Sequence, residues 1–187
     1  MIDDIKAALN VLQKGGIIIY PTDTIWGIGC DACNEAAVQR IYEIKKRTDS
    51  KSMLILMENA SLIDRYVEEV PDIAFDLIEL TDKPLTIIYD GAKNLARNLI
   101  AEDGSVGIRI TAEEFSKELI RRFKRPIVST SANISGKTSP ACFNEIEQEI
   151  LDAVDFVVNY RHDETQKATP SSIIKLGRGG EIKIIRQ

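Results

Sequence analysis

The chain has 187 residues, 44% of them hydrophobic, with 24 Lys and Arg against 29 Asp and Glu, a formal net charge of −5 at pH 7. That length fits one domain able to bury a core unaided, and the balance of apolar to charged residues excludes a disordered chain, a fibrous repeat and a disulfide-stapled mini-protein. The acidic balance argues against a general nucleic-acid coat protein, while leaving room for a local phosphate site.

In chain order, Ile5, Ala8, Leu9 and Leu12 follow helical spacing, and Gly15-Gly16 stops that helix. Residues 17–20, Ile-Ile-Ile-Tyr before Pro21, read as a buried strand. Residues 22–33 are rich in Gly, Asp and Thr and read as a loop. Asn34 can cap a second helix with Val38, Ile41 and Tyr42 on one face, ending in Lys45-Lys46-Arg47. Residues 53–57 predict a strand, and 59–67 and 71–80 predict helices. Strands are expected at 85–89 and 106–110. Thr111-Ala112-Glu113-Glu114 reads as a capping box opening a helix with Phe115, Leu119 and Phe123 inward. A strand at 127–129 leads into a polar loop to residue 140. A helix at 144–151, a strand at 154–158 and a hairpin of 172–176 with 182–185 close the chain. Not every strand pair has a crossover helix, so a mixed sheet with helices on its faces is expected, in a single domain spanning 1–187.

No apolar run approaches the roughly 20 residues that cross a bilayer, and Met1-Ile2-Asp3-Asp4 is acidic where a signal peptide is basic. A cytoplasmic protein with no membrane contact is expected. Cys30, Cys33 and Cys142 are then read as reduced thiols. Cys30-x-x-Cys33 lacks the second pair of a zinc ribbon, so structural cysteines are favoured over a redox or metal site. His162, the single histidine, lies in the charged stretch 160–164. A surface residue is favoured there over a catalytic base.

Familiar catalytic sets and phosphate loops are missing from the sequence. Three polar segments that follow strands remain, and strand-end loops are where open α/β sheets bind ligands. The first is Pro21-Thr22-Asp23-Thr24-Ile25-Trp26-Gly27-Ile28-Gly29, able to recognise a small polar ligand or to be a plain turn. The second is Lys45-Lys46-Arg47 with Lys51, suited to a polyphosphate and equally to a solvated helix end. The third is Ser129-Thr130-Ser131-Ala132-Asn133-Ile134-Ser135-Gly136, rich in short hydrogen-bonding groups but without a general base, which disfavours a serine nucleophile.

Taken together these segments resemble the YrdC/TsaC family, the threonylcarbamoyl-AMP synthases of tRNA modification. The matching pieces are Gly15 to Thr24, Lys45-x-Arg47, Val106-Gly107-Ile108-Arg109, Ser129-Thr130-Ser131-Ala132-Asn133-x-Ser135-Gly136, Ser139-Pro140, Pro170-Ser171-Ser172 and Arg186. Departures are Lys46 and Thr48 in the Lys-Gly-Arg-Pro motif, Ser52-Met53 for Pro-Leu, Asp82-Lys83-Pro84 for Pro-Gly-Pro, and Trp26 for tyrosine. The resemblance implies a twisted mixed α/β sheet around a large concave cavity, in the short form that lacks an extra C-terminal domain. It implies that L-threonine, bicarbonate and ATP become threonylcarbamoyl-adenylate and pyrophosphate. It places Thr24, Arg109, Ser129 and Ser171, or its neighbour Ser172, at threonine. It places Lys45, Arg47, Lys51, Ser105, Ser131, Asn133, Ser139 and Arg186 around ATP, with Lys45 and Arg47 carrying catalysis. Mg²⁺ would arrive with ATP, with no metal held by the protein itself. The product would pass to a separate tRNA threonylcarbamoyl transferase complex, with at most a weak tRNA contact. The alternative is an RNA-binding paralogue that makes no adenylate, for which Arg121-Arg122-Phe123-Lys124-Arg125 is the candidate surface.

Overall fold

A computed structural model of the chain describes residues 1–46, 53–164 and 170–187. Among the described residues nine strands form one sheet in the order β7-β1-β2-β6-β3-β5-β4-β8-β9. They are β1 (Ile18–Tyr20), β2 (Gly27–Gly29), β3 (Leu54–Met57), β4 (Leu85–Tyr89), β5 (Val106–Ile110), β6 (Ile127–Ser131), β7 (Phe156–Val157), β8 (Ser172–Leu176) and β9 (Ile182–Arg186). Pairing is mixed: β1 with β7, β3 with β5 and β4 with β8 are parallel, and the remaining neighbours are antiparallel. The mixed sheet agrees with the reading of crossover spacing. Strand alternation splits the core in two. Ile17 and Ile19 join one cluster with Ile55 and Val128, under the buried face of α2 (Glu35–Ile44). Ile18 and Tyr20 join the other, with α1 (Ile2–Gln13) and α4 (Glu114–Phe123). Each of these strand residues is fully buried, and a filled aliphatic side chain contributes about 1.5–3 kcal/mol over exposure.

The local signals mostly act as expected. The Asn34 side chain accepts from the Ala37 amide and starts α2. Four elements differ. Residues 27–29 form β2 within the expected loop. Residues 59–67 yield a short 3-10 turn, Ala60–Arg65, before α3 (Ile73–Leu80). The expected helix at 144–151 is a 3-10 turn, Phe143–Glu145, followed by α5 (Gln148–Asp152). In the expected capping box, Glu113 is itself the cap, accepting from the Ser116 amide at 2.7 Å, because the Thr111 hydroxyl is drawn to Asp23 instead. Among the described residues no helix is long and apolar enough to cross a membrane.

Candidate functional site

Cross-strand pairing puts a run of small or polar residues on one face of the sheet. Gly27 of β2 pairs with Ser131 of β6, Ser129 of β6 with Leu54 of β3, and Leu56 of β3 with Arg109 of β5. Further along, Thr86 of β4 pairs with Ile173 of β8, and Ile173 with Arg186 of β9. Directly paired residues share a face, so Gly27, Thr86, Ser129 and Ser131 leave room there between Leu54, Leu56 and Ile173. The result is a cavity of about 190 Å³. Its walls include Thr24, Trp26, Gly27, Arg109, Ser129, Ser131, Ser139, Ser171 and Arg186.

The glycines of the first loop have a packing reason. A Cβ on Gly29 would stand 2.6 Å from both Tyr20 Cε1 and the Val128 carbonyl oxygen. A Cβ on Gly27 would stand 3.2 Å from Ser129 Oγ. The Tyr20 hydroxyl reaches across to donate to the Val128 carbonyl, and burial pushes its ionisation well above the ordinary tyrosine range. The turn before β2 is set by Thr22, whose hydroxyl donates to the Ile25 carbonyl, accepts from the Thr24 amide and lies 3.1 Å from the Thr24 hydroxyl.

Arg109 dominates the cavity's electrostatics. It is 3% exposed, and among the described residues its Nε has no hydrogen-bond partner. Burial pulls its pKa down, the Asp23 carboxylate opposes that fall, and the Arg186 charge adds to it. Arg186 donates twice to the Ser171 carbonyl, at 2.7 and 3.0 Å, while the Ser171 hydroxyl lies 2.9 Å from that of Thr86. Two guanidinium groups thus face a wall of hydroxyls, with no carboxylate among the described lining residues. Such a cavity is suited to anionic oxygens, which guanidinium forks and hydroxyls both recognise.

Of the residues expected at threonine, Thr24, Arg109, Ser129 and Ser171 line this one cavity, whereas Ser172 begins β8 and does not line it. Of those expected at ATP, Ser131, Ser139 and Arg186 line it. Arg47 and Lys51 lie outside the described residues. The remaining three expected at ATP, Ser105, Asn133 and Lys45, do not line this cavity. Ser105 is directed away: its hydroxyl donates to Asp103 at 2.6 Å at the far end of β5, and its amide does the same at 3.1 Å. Asn133 shapes the loop after β6, its amide nitrogen donating to the Ile134 and Lys137 carbonyls. Lys45 is 2% exposed and braces that same loop, donating to the Ser131 and Asn133 carbonyls at 2.5 and 2.7 Å. It supports the loop from beneath, where an exposed helix-end cation was the competing expectation.

Stretch 160–164 also differs from the exposed segment expected. His162 is half-buried, stacked on Phe143 with centroids 3.6 Å apart and edge-on to Trp26 at 5.5 Å. Arg161, at φ +72°, donates to the Thr22 carbonyl at 3.3 Å and pairs with Glu113 at 3.4 Å. A positive φ is uncommon outside glycine, so these contacts offset a local backbone cost. The cysteines are free thiols, and burial raises the Cys33 thiol to about 11. Sequence reasoning missed Asp23 as a partly buried acid behind Arg109. Its only signal was an acidic residue set among threonines.

The geometry can be set beside known proteins. A putative threonylcarbamoyl-AMP synthase of Methanocaldococcus jannaschii is 38% identical over 176 residues, covering 91% of this chain and 81% of its own. A threonylcarbamoyl-AMP synthase of Pseudoalteromonas translucida is 30% identical over 158 residues, covering 83% and 84%. Escherichia coli YciO matches with a TM-score of 0.84 at 25% identity, over 98% of this chain and 88% of that one. Pyrococcus abyssi Sua5, solved with L-threonine, matches with a TM-score of 0.82 at 27% identity, over 92% of this chain. This chain spans 50% of that protein's length. The Sua5/YciO/YrdC family model, described as telomere recombination, matches residues 10–187. The chain therefore belongs to that family.

Proposed function

We propose that this chain is a threonylcarbamoyl-AMP synthase, condensing L-threonine and bicarbonate and transferring the adenylyl group of ATP to the resulting carbamate. The observation that carries this reading is the buried Arg109 beside Arg186, presenting donors to a hydroxyl-lined cavity. The names of the relatives and the threonine complex of Pyrococcus abyssi Sua5 support it.

The amine of threonine attacks bicarbonate, releasing water and leaving a carbamate. A carbamate oxygen then attacks the α-phosphorus, and the bond to pyrophosphate breaks. Neither step needs a covalent nucleophile, which agrees with loops that lack a general base. Both need anions brought together and charge balanced as it moves to the leaving pyrophosphate. Arg109, Thr24, Ser129 and Ser171 are proposed to hold threonine, with Arg109 on its carboxylate. Ser131, Ser139 and Arg186 are proposed to line the nucleotide side. Lys45 and Asn133 keep the loop that carries Ser131 in shape. Arg47 and Lys51 are proposed at the triphosphate on the family resemblance. Mg²⁺ is proposed to enter as the metal–ATP substrate, since it prefers phosphate oxygens and retained water to a protein cage. The product is proposed to pass, in the cytoplasm, to a separate tRNA-modifying transferase.

The test is pyrophosphate release by purified protein with Mg–ATP, threonine and bicarbonate. Release that needs all three is expected. Release indifferent to threonine would refute the assignment.

A further inference from the structure

Asp23 stands just behind the cavity wall, and its carboxylate is engaged on three sides. Oδ1 accepts from the amides of Ala112 and Glu113 at 2.7 and 2.9 Å, and Oδ2 accepts from the Thr111 hydroxyl at 2.6 Å. The same Oδ2 lies 3.8 Å from Arg109 Nε, within Coulombic reach and beyond hydrogen-bond distance. Among the described residues Arg109 donates one hydrogen bond, from Nη2 to Thr22 Oγ1, and it is long at 3.5 Å. A buried guanidinium beside a carboxylate ordinarily closes into a forked, doubly hydrogen-bonded pair. Here the three donors anchor the carboxylate short of that. The anchors themselves are fixed: Thr111 is 2% exposed, and its amide donates to the Met57 carbonyl at 2.9 Å.

Resting on the reading of the cavity as the threonine site, we propose that Asp23 is a positioning residue for Arg109. Held off by Thr111, Ala112 and Glu113, it balances the guanidinium's charge while leaving its N–H donors to the substrate's carboxylate. The turn after β5 is then part of the site's design, although none of its residues lines the cavity.

Three variants test this. Thr111→Val removes the 2.6 Å donor and frees Oδ2 to close onto Arg109 Nε, in competition with substrate. The KM for threonine should rise roughly tenfold, the worth of one charge-assisted hydrogen bond, with the KM for ATP within twofold. Thr111→Ser keeps the hydroxyl and should restore the threonine KM. A threonine KM within twofold of wild type in Thr111→Val, a parallel rise in the ATP KM, or failure of Thr111→Ser to rescue would overturn the proposal. Asp23→Asn keeps the Oδ1 acceptor and removes the countercharge, leaving Arg109 and Arg186 unopposed. Its melting temperature, read without substrate, should rise with chloride at constant ionic strength more than that of wild type. Equal chloride responses would overturn the proposal. This second readout stands whether or not wild type turns over threonine, so failure of the enzymatic reading is seen separately, in the wild-type assay.

Discussion

Replacing Arg109 by methionine should separate function from stability. Removing one member of a buried ion pair usually costs about 3–5 kcal/mol, because the other charge is left buried and alone. Here the remaining Asp23 keeps hydrogen bonds from Ala112, Glu113 and Thr111, and it lies 3.8 Å from Arg109 Nε without bonding to it. The guanidinium itself is 3% exposed and disfavoured by burial. Arg109→Met should therefore change unfolding free energy by less than about 1 kcal/mol, since the desolvation cost of the buried cation goes with it while the remaining Asp23 keeps its three donors. Its effect on threonine should be large. Two charge-assisted hydrogen bonds at about 1.5–3 kcal/mol each correspond to a hundredfold or greater rise in KM. Arg109→Lys keeps the charge but not the fork, and should sit about tenfold above wild type. Urea denaturation gives the first quantity and initial rates at varied threonine give the second. A loss of 3 kcal/mol or more with an unchanged threonine KM would show that Arg109 is a structural ion-pair partner and that its donors do not meet substrate.

Gly29→Ala should destabilise the fold by about 1–3 kcal/mol in urea denaturation, because the new methyl meets Tyr20 and the Val128 carbonyl at 2.6 Å; a change below about 0.5 kcal/mol would refute that account of the Gly-Ile-Gly strand. Cys33, with its thiol raised to about 11, should react slowly with iodoacetamide at pH 7, and Cys33→Ala should keep wild-type turnover. Fast labelling would contradict the environment described. Asp103 is lowered to about 2 by its hydrogen bonds from Ser105 and Lys175, so the stability it contributes is present above its ordinary value of 3.8 and is lost as pH falls from there towards 2. An acid melt of Asp103→Asn should be flatter than wild type over that window, by a small amount because this pair is exposed. Arg47→Ala should lower turnover about a hundredfold with an unchanged melting temperature, since a cation that stabilises departing pyrophosphate acts in the transition state alone; wild-type turnover would return Arg47 to the solvated helix end.

The strands legible in the sequence were those whose residues carry their own signal. Ile17-Ile18-Ile19-Tyr20 is β-branched and buried on both faces, and Asn34 caps α2 as its side chain predicts. β2 was hidden because Gly27 and Gly29 have low strand propensity by themselves. They are required by the Tyr20 ring of the preceding strand and, at Gly29, by the Val128 carbonyl, contacts that exist only once the strands pair. The capping box failed for a related reason. Thr111 has a stronger partner in Asp23, 88 residues away, and the cap passed to Glu113. Four threonine-site expectations meet in one cavity because Arg109 of β5 and Ser129 of β6 line it together with Thr24 before β2 and Ser171 before β8. Ser105 does not line that cavity, and Asp103, two residues before it, accepts from both its hydroxyl and its amide. Lys45 is buried where a surface cation was the alternative, because the Ser131 and Asn133 carbonyls it serves belong to a loop that folds back over it. Long-range pairing of side chains, more than local propensity, separates what the chain disclosed from what it did not.

The most direct test of the central claim follows one carbon. Purified protein is incubated with Mg–ATP, L-threonine and ¹³C-bicarbonate, and the nucleotide products are resolved by mass spectrometry. The account predicts an adenylate that contains threonine and carries the label, formed with an equal amount of pyrophosphate. Pyrophosphate or ADP formed with no labelled threonine adenylate would contradict it.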